Sequence, residues 1–154
     1  MRLVLTALAA AAAVAATPAL ANEIRAEGRG GVIWDQGTTE AIAGVAVGYD
    51  YDLAPKTFVG IEASADKILT SNTIVSFGVN ARAGVSVPVV GKLYATGGYA
   101  TKPCHGCEES WNLGAGVQHT ILPMTYLKLE YRHYFVGNGF SDPDAVVAGV
   151  GIKF

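Results

Sequence analysis

Two groups of residues in this chain have the types and spacing to do chemistry. Cys104-His105-Gly106-Cys107 sets two thiols three residues apart with an imidazole between them. Such a C-x-x-C segment can exchange disulfides, attach haem, bind zinc or close a plain structural bridge. Haem attachment needs His at position 108, which is Glu. Zinc needs more ligands than two Cys and His105 provide. Redox C-x-x-C pairs sit at a helix start within a βαβ unit, and the surrounding sequence has no such pattern. A redox pair and a structural loop staple therefore remain. The second group is His119 and His133, with Ser141 the nearest downstream hydroxyl. No Ser-His-Asp spacing, phosphate loop or metal motif accompanies them. The sequence reads as non-enzymatic, with no cofactor and no metal site expected.

The elements that position these residues are short alternating segments. The last ten residues, Ala145 to Phe154, put Val146, Ala148, Val150, Ile152 and Phe154 on one parity. Ala145, Val147, Gly149, Gly151 and Lys153 fall on the other. A strand sends alternate side chains to opposite faces, so one face is wholly apolar. Seven more segments alternate in the same way: 26–34, 41–51, 57–66, 74–87, 92–101, 110–120 and 126–136. The 74–87 segment is the clearest, with Val75, Phe77, Val79, Ala81, Ala83, Val85 and Val87 opposing Ser76, Gly78, Asn80, Arg82, Gly84 and Ser86. Turns are expected at 52–56, 88–91 and 121–124, and connections at the other end at 35–40, 67–73, 102–109 and 137–144.

The start of the chain bears on compartment. Arg2, an apolar run from Leu3 to Ala16 and the small-x-small site Ala19-Leu20-Ala21 have the form of a cleaved signal peptide, residues 1–21. The run is short for a spanning helix of roughly 20 residues. Residue 22 is Asn rather than Cys, so no lipid anchor is indicated. The mature chain, 22–154, is expected to form one domain. It carries ten Lys and Arg against thirteen Asp and Glu, which gives no electrostatic case for nucleic acid. Export also places Cys104 and Cys107 in an oxidising compartment, where the loop staple is the favoured reading.

Alternating strands could build a soluble sandwich or a lipocalin-like barrel, with the apolar face inside. Three features invert that orientation. The polar face is rich in Gly, which suits a crowded interior. Its charges come as compact opposite-sign sets. Trp34, Tyr49, Tyr51, Tyr99, Trp111, Phe135 and Phe154 lie near strand ends on the apolar face, as in the aromatic girdles of membrane barrels. A sheet in lipid must close on itself to satisfy its edges. The expected fold is all-β, a closed eight-stranded antiparallel transmembrane up-and-down barrel, with both termini on the periplasmic side.

The segments Leu93-Tyr94-Ala95-Thr96-Gly97-Gly98-Tyr99, Trp111-Asn112-Leu113-Gly114-Ala115-Gly116-Val117 and Leu127-Lys128-Leu129-Glu130-Tyr131-Arg132, in this order before a terminal Phe, resemble the eight-stranded outer-membrane barrels of the outer membrane protein A and opacity-protein type. The resemblance covers nearly all of the mature chain. It implies residence in the outer membrane among its lipids and lipopolysaccharide, with Phe154 acting as a signal to the barrel assembly machinery. The peptidoglycan-binding domain of some relatives is not expected. Barrel deacylases in this wider group use His with Ser two residues on; here Phe135 follows His133 at that spacing.

With this register the interior receives Glu27, Asp50, Glu62, Asp66 and Glu130 together with Arg29, Arg82, Lys92, Lys128, Arg132 and Lys153. Near-balanced buried charges must pair. They could form a gate in a narrow pore or a plug that fixes strand register. Side chains just fill an eight-stranded interior, which favours the plug. The inward Gly are expected to leave some room for water. The functional expectation is a structural or surface-presenting barrel. A narrow passive channel, a surface-binding protein with an unknown ligand and, remotely, a lipid-modifying enzyme are the alternatives.

Overall fold

Residues 22–154 are described in a computed structural model of the chain; the expected signal peptide lies outside the described residues. The strands are β1 (Asn22–Asp35), β2 (Thr38–Ala54), β3 (Thr57–Ile68), β4 (Ser76–Val87), β5 (Gly91–Ala100), β6 (Ser110–Leu122), β7 (Thr125–Phe135) and β8 (Asp144–Lys153). Each pairs antiparallel with its sequence neighbour, and β8 returns to β1, closing the barrel. The closing ladder runs from Arg25↔Lys153 to Trp34↔Asp144. Phe154 extends it: its N–H donates to the Ile24 carbonyl at 3.0 Å, and the Ile24 N–H returns a bond at 3.1 Å. Among the described residues no strand edge is left unpaired, which is the condition for a sheet to stand in lipid.

The two faces are inverted relative to a soluble barrel. Outward Phe77, Val79 and Trp111 are 61%, 65% and 66% exposed, while inward Asp50, Glu62, Lys128 and Arg132 are at most 3% exposed. Apolar side chains outside and ions inside make sense only where the outer solvent is hydrocarbon. Three turns at one end are short, formed by Pro55-Lys56, Pro88–Val90 and Pro123-Met124. Three connections at the other end are longer, at 69–75, 101–109 and 136–143. Short turns mark the periplasmic end and longer loops the outer end.

The structure moves several boundaries. β1 begins at Asn22 rather than 26, because Glu23-Ile24-Arg25 continues the in–out alternation. The expected outer connection at 35–40 is a two-residue turn, Gln36-Gly37, with φ of 42° and 87°. Positive φ at both central residues gives the twist that hairpins prefer, so β1 and β2 run on to its edge. β4 starts at Ser76, leaving Ile74 and Val75 to the preceding loop. Ile74 donates there to the Pro103 carbonyl at 2.8 Å.

Candidate functional site: the barrel interior and its outer mouth

Alternation alone decides which side chains enter the lumen. The odd residues of β1 and β8 and the even residues of β2 to β7 point inward. The ions meet around two carboxylates. Glu62 Oε1 accepts from Arg29 Nη1 at 3.0 Å and Arg132 Nη2 at 2.9 Å. Its Oε2 accepts from Arg25 Nη1 and Lys128 Nζ, both at 3.1 Å. Four cations from β1 and β7 thus converge on one acid from β3, and the network crosses the lumen. Nearer the periplasm, Asp50 is gripped in two-pronged fashion by Arg82, with Nε donating to Oδ1 at 2.8 Å and Nη2 donating to Oδ2. Lys92 Nζ lies 2.9 Å and Arg25 Nε 3.5 Å from the same carboxylate.

The remaining acids tie this network to the wall. Glu130 pairs with Arg132 and accepts from the Tyr94 hydroxyl at 2.6 Å. Glu27 pairs with Lys128 and accepts from the Tyr126 hydroxyl at 2.7 Å. Arg29 donates to Asp66 from Nε at 2.8 Å and Nη2 at 2.5 Å. At the periplasmic rim Glu23 holds Lys92 and Lys153, each at 3.0 Å, and accepts from Gln118 at 2.9 Å.

All eleven charges assigned to the interior from sequence lie in this network, but the assignment was incomplete. Glu23 and Arg25 belong to it, and Arg25 is 1% exposed. Starting β1 at 26 left them out, although the charged–apolar alternation through Glu23-Ile24-Arg25 was the signal. The neutral partners Tyr94, Gln118 and Tyr126 were also missed, since alternation gives a face but not a reach.

Side chains fill the space over three of the inward glycines, where room for water is expected from sequence. The Arg25 guanidinium lies over Gly48, the Tyr94 ring over Gly116 and the Tyr126 ring over Gly151, where a Cβ would collide with each. Arg82 in turn stacks on Tyr94 and Phe58, at 4.6 and 5.1 Å from the ring centroids. Among the described residues the side-chain amides of Asn80 and Asn112 have no protein partner. Arg25 Nε and Nη2, Glu27 Oε1 and Arg82 Nη1 are likewise without a hydrogen-bond partner, so the unsatisfied polar atoms are spread across the lumen.

Above the ions the lumen widens into a cavity of about 520 Å³ at the outer mouth. Asp66 and Arg132 form its floor; Ile33, Ile42, Ile68 and Tyr134 line its walls; Asp35, Glu40, Glu108 and Phe140 stand higher. The loop bearing Cys104 and Cys107 leans against it. The two sulfurs are bonded at 1.98 Å, with Cα atoms 5.1 Å apart. A bridge from Thr73 to Cys104 ties this loop to the β3–β4 connection.

On the outer surface, His133 and Asp144 are cross-strand partners. His133 Nδ1 lies 2.8 Å from Asp144 Oδ1, and the Tyr131 hydroxyl donates to the same oxygen at 2.5 Å. The His133 ring packs edge-on against Phe135. A carboxylate–imidazole pair could orient a base, but among the described residues no hydroxyl is hydrogen-bonded to this ring. His119 faces outward at the other end and meets the Val90 carbonyl at 3.1 Å. Trp34, Tyr49, Tyr51, Tyr99, Trp111 and Phe135 all lie on the outer face. Tyr99 and Trp111 are in edge-to-face contact at 5.6 Å. Phe77, also exposed, joins them and is not singled out from sequence.

A closed eight-stranded barrel, apolar outside and ionic within, is the setting for the comparisons with known proteins. Residues 4–154 match the family described as the outer membrane protein beta-barrel domain. The chain belongs to this family. Its place is the cell outer membrane. No curated protein matches. Among solved structures it resembles the N-terminal β-barrel domain of Pseudomonas aeruginosa OprF, at 15% identity and a TM-score of 0.62, covering 86% of this chain and 97% of that one. Ail, the attachment invasion locus protein of Yersinia pestis, is similar at 16% identity and a TM-score of 0.60, covering 86% and 98%. Ail has also been solved with the heparin analogue sucrose octasulfate. Neisserial surface protein A matches at 17% identity and a TM-score of 0.58, covering 90% and 100%. At such identities the likeness is one of fold.

Proposed function

We propose that this outer-membrane barrel is a structural, non-catalytic component of the envelope whose lumen is closed to solutes. The observation that carries the reading is the convergence of Arg25, Arg29, Lys128 and Arg132 on Glu62, with strands on opposite sides of the barrel joined through one carboxylate. Opening a path there would strand desolvated charges, at a cost of several kcal/mol per ion. The aromatic residues at the strand ends anchor the barrel at the two interfaces, and Phe154 serves as the assembly signal. The Cys104–Cys107 bridge staples its loop, and the partners are outer-membrane lipids, lipopolysaccharide and the assembly machinery.

Proteoliposomes carrying the purified barrel should not swell in small sugars, and cells lacking it should admit more of an ordinarily excluded dye. Swelling like that of a porin control would overturn the closed reading.

A surface-binding role is the second reading, favoured by the outer cavity and the stapled loop beside it. The polyanion seen with Ail does not carry over. The outer end of this chain bears Asp35, Glu40, Glu108, Glu109, Asp142 and Asp144 against Lys67 and Lys102. A field of that sign repels sulfated ligands.

A further inference from the structure

We infer that the outer-mouth cavity is a binding site for a small amphipathic organic cation, an amine or guanidine with an apolar body. This goes beyond the closed-barrel reading and does not depend on whether the lumen conducts. Its volume, about 520 Å³, falls in the range of about 300–1,000 Å³ typical of small-molecule sites. The site is built in two levels with different chemistry.

The floor is electrically satisfied. Asp66 is held by Arg29, and Arg132 is held by Glu62 and Glu130. A ligand gains little there from its own charge. Above the floor the walls are aliphatic, with Ile33, Ile42 and Ile68 pointing inward by the parity of β1, β2 and β3. Phe140 stands over them, on a loop fixed by its own N–H bond to the Gly137 carbonyl at 3.0 Å and by the Val136 N–H bond to Asp142 at 2.9 Å.

At the upper level Glu108 is paired with Lys102 at 3.7 Å, but two other acids are not paired. Asp35 and Glu40 face the cavity, each half-buried, and among the described residues neither has a cationic partner within 4.0 Å. Asp35 receives only the Ser141 hydroxyl. This contrasts with the lumen below, where acids are matched to bases. Two carboxylates facing one cavity without counter-charge attract a cation that supplies it. Glu40 stands four residues above the floor level on β2, where Gly44 pairs with Asp66, roughly 13 Å along a strand. The ligand's cationic head would sit at Asp35 and Glu40, and its apolar body would descend between the isoleucines. An anion of the same shape would meet the carboxylates and be rejected.

The test uses tryptamine and its anionic counterpart indole-3-propionate as probes of the folded, disulfide-intact barrel in lipid nanodiscs. Binding is followed by calorimetry and by ligand-observed saturation-transfer NMR. Tryptamine should bind saturably, with empty nanodiscs as the blank, and indole-3-propionate should not. The Asp35→Asn/Glu40→Gln double variant, checked for retained heat-modifiability, should weaken tryptamine at least tenfold. Ile42→Asn, which puts an uncharged polar group into the apolar wall, serves as a second variant and should also weaken it. Equal binding of the two probes, unchanged affinity in the double variant, or no saturable tryptamine binding would each overturn the proposal.

Discussion

Glu62 is the residue on which the interior turns. It has no spare hydrogen-bond capacity: each oxygen accepts from two cations. Glu62→Ala leaves Arg25, Arg29, Lys128 and Arg132 sharing fewer acids. Breaking a buried pair from one side typically costs about 3–5 kcal/mol, so the variant should unfold at markedly lower urea when followed by the gel shift of folded barrel. Arg82→Ala should cost less. Asp50 keeps Lys92 at 2.9 Å and Arg25 at 3.5 Å after the change, so the acid is not left alone. A loss for Arg82→Ala as large as that for Glu62→Ala would contradict this ordering.

At the scale of elements, two turns make separable predictions. Gly37 has φ of 87° and Val89 has φ of 72°. A left-handed backbone costs an L-residue roughly 1–2 kcal/mol, and more at a β-branched one. Gly37→Val should therefore destabilise the β1–β2 hairpin by more than that amount. Val89→Gly should stabilise the barrel modestly, since Val89 is exposed and its side chain is dispensable. Both are read from equilibrium unfolding in lipid vesicles.

The same elements show how far sequence carries. Eight strands and their faces were legible because period-2 alternation survives in every one, from Phe77–Val87 to the closing Val146–Ile152. The β1 start and the Gln36-Gly37 turn were not. A charged–apolar stretch beside the expected leader resembles either a strand or a linker, and a two-residue turn leaves little signal when its flanks are also polar. The interior charges could be assigned to a face by parity. Their convergence on Glu62 could not, because barrel stagger brings β3, β1 and β7 together across the lumen at distances that no local pattern encodes. The same holds for the Asp35–Glu40 rim: both residues were read as loop, yet the extended hairpin turns them inward.

For the whole molecule, the exterior apolar belt and the sealed interior are two consequences of one orientation. Val79, 65% exposed on β4, faces lipid. Val79→Arg should cost about 2–4 kcal/mol if it lies near the midplane. The same arginine placed at Val89, on a periplasmic turn, should cost far less; the comparison is made by unfolding in vesicles of fixed lipid composition. Closure of the lumen is the harder claim and the one on which the proposed role depends. It is tested most directly by recording from the purified, refolded barrel in planar bilayers at neutral pH. The account predicts insertion without steady conductance, with openings emerging only when Glu62 is removed. Stable, ohmic channels from the unaltered protein would contradict it.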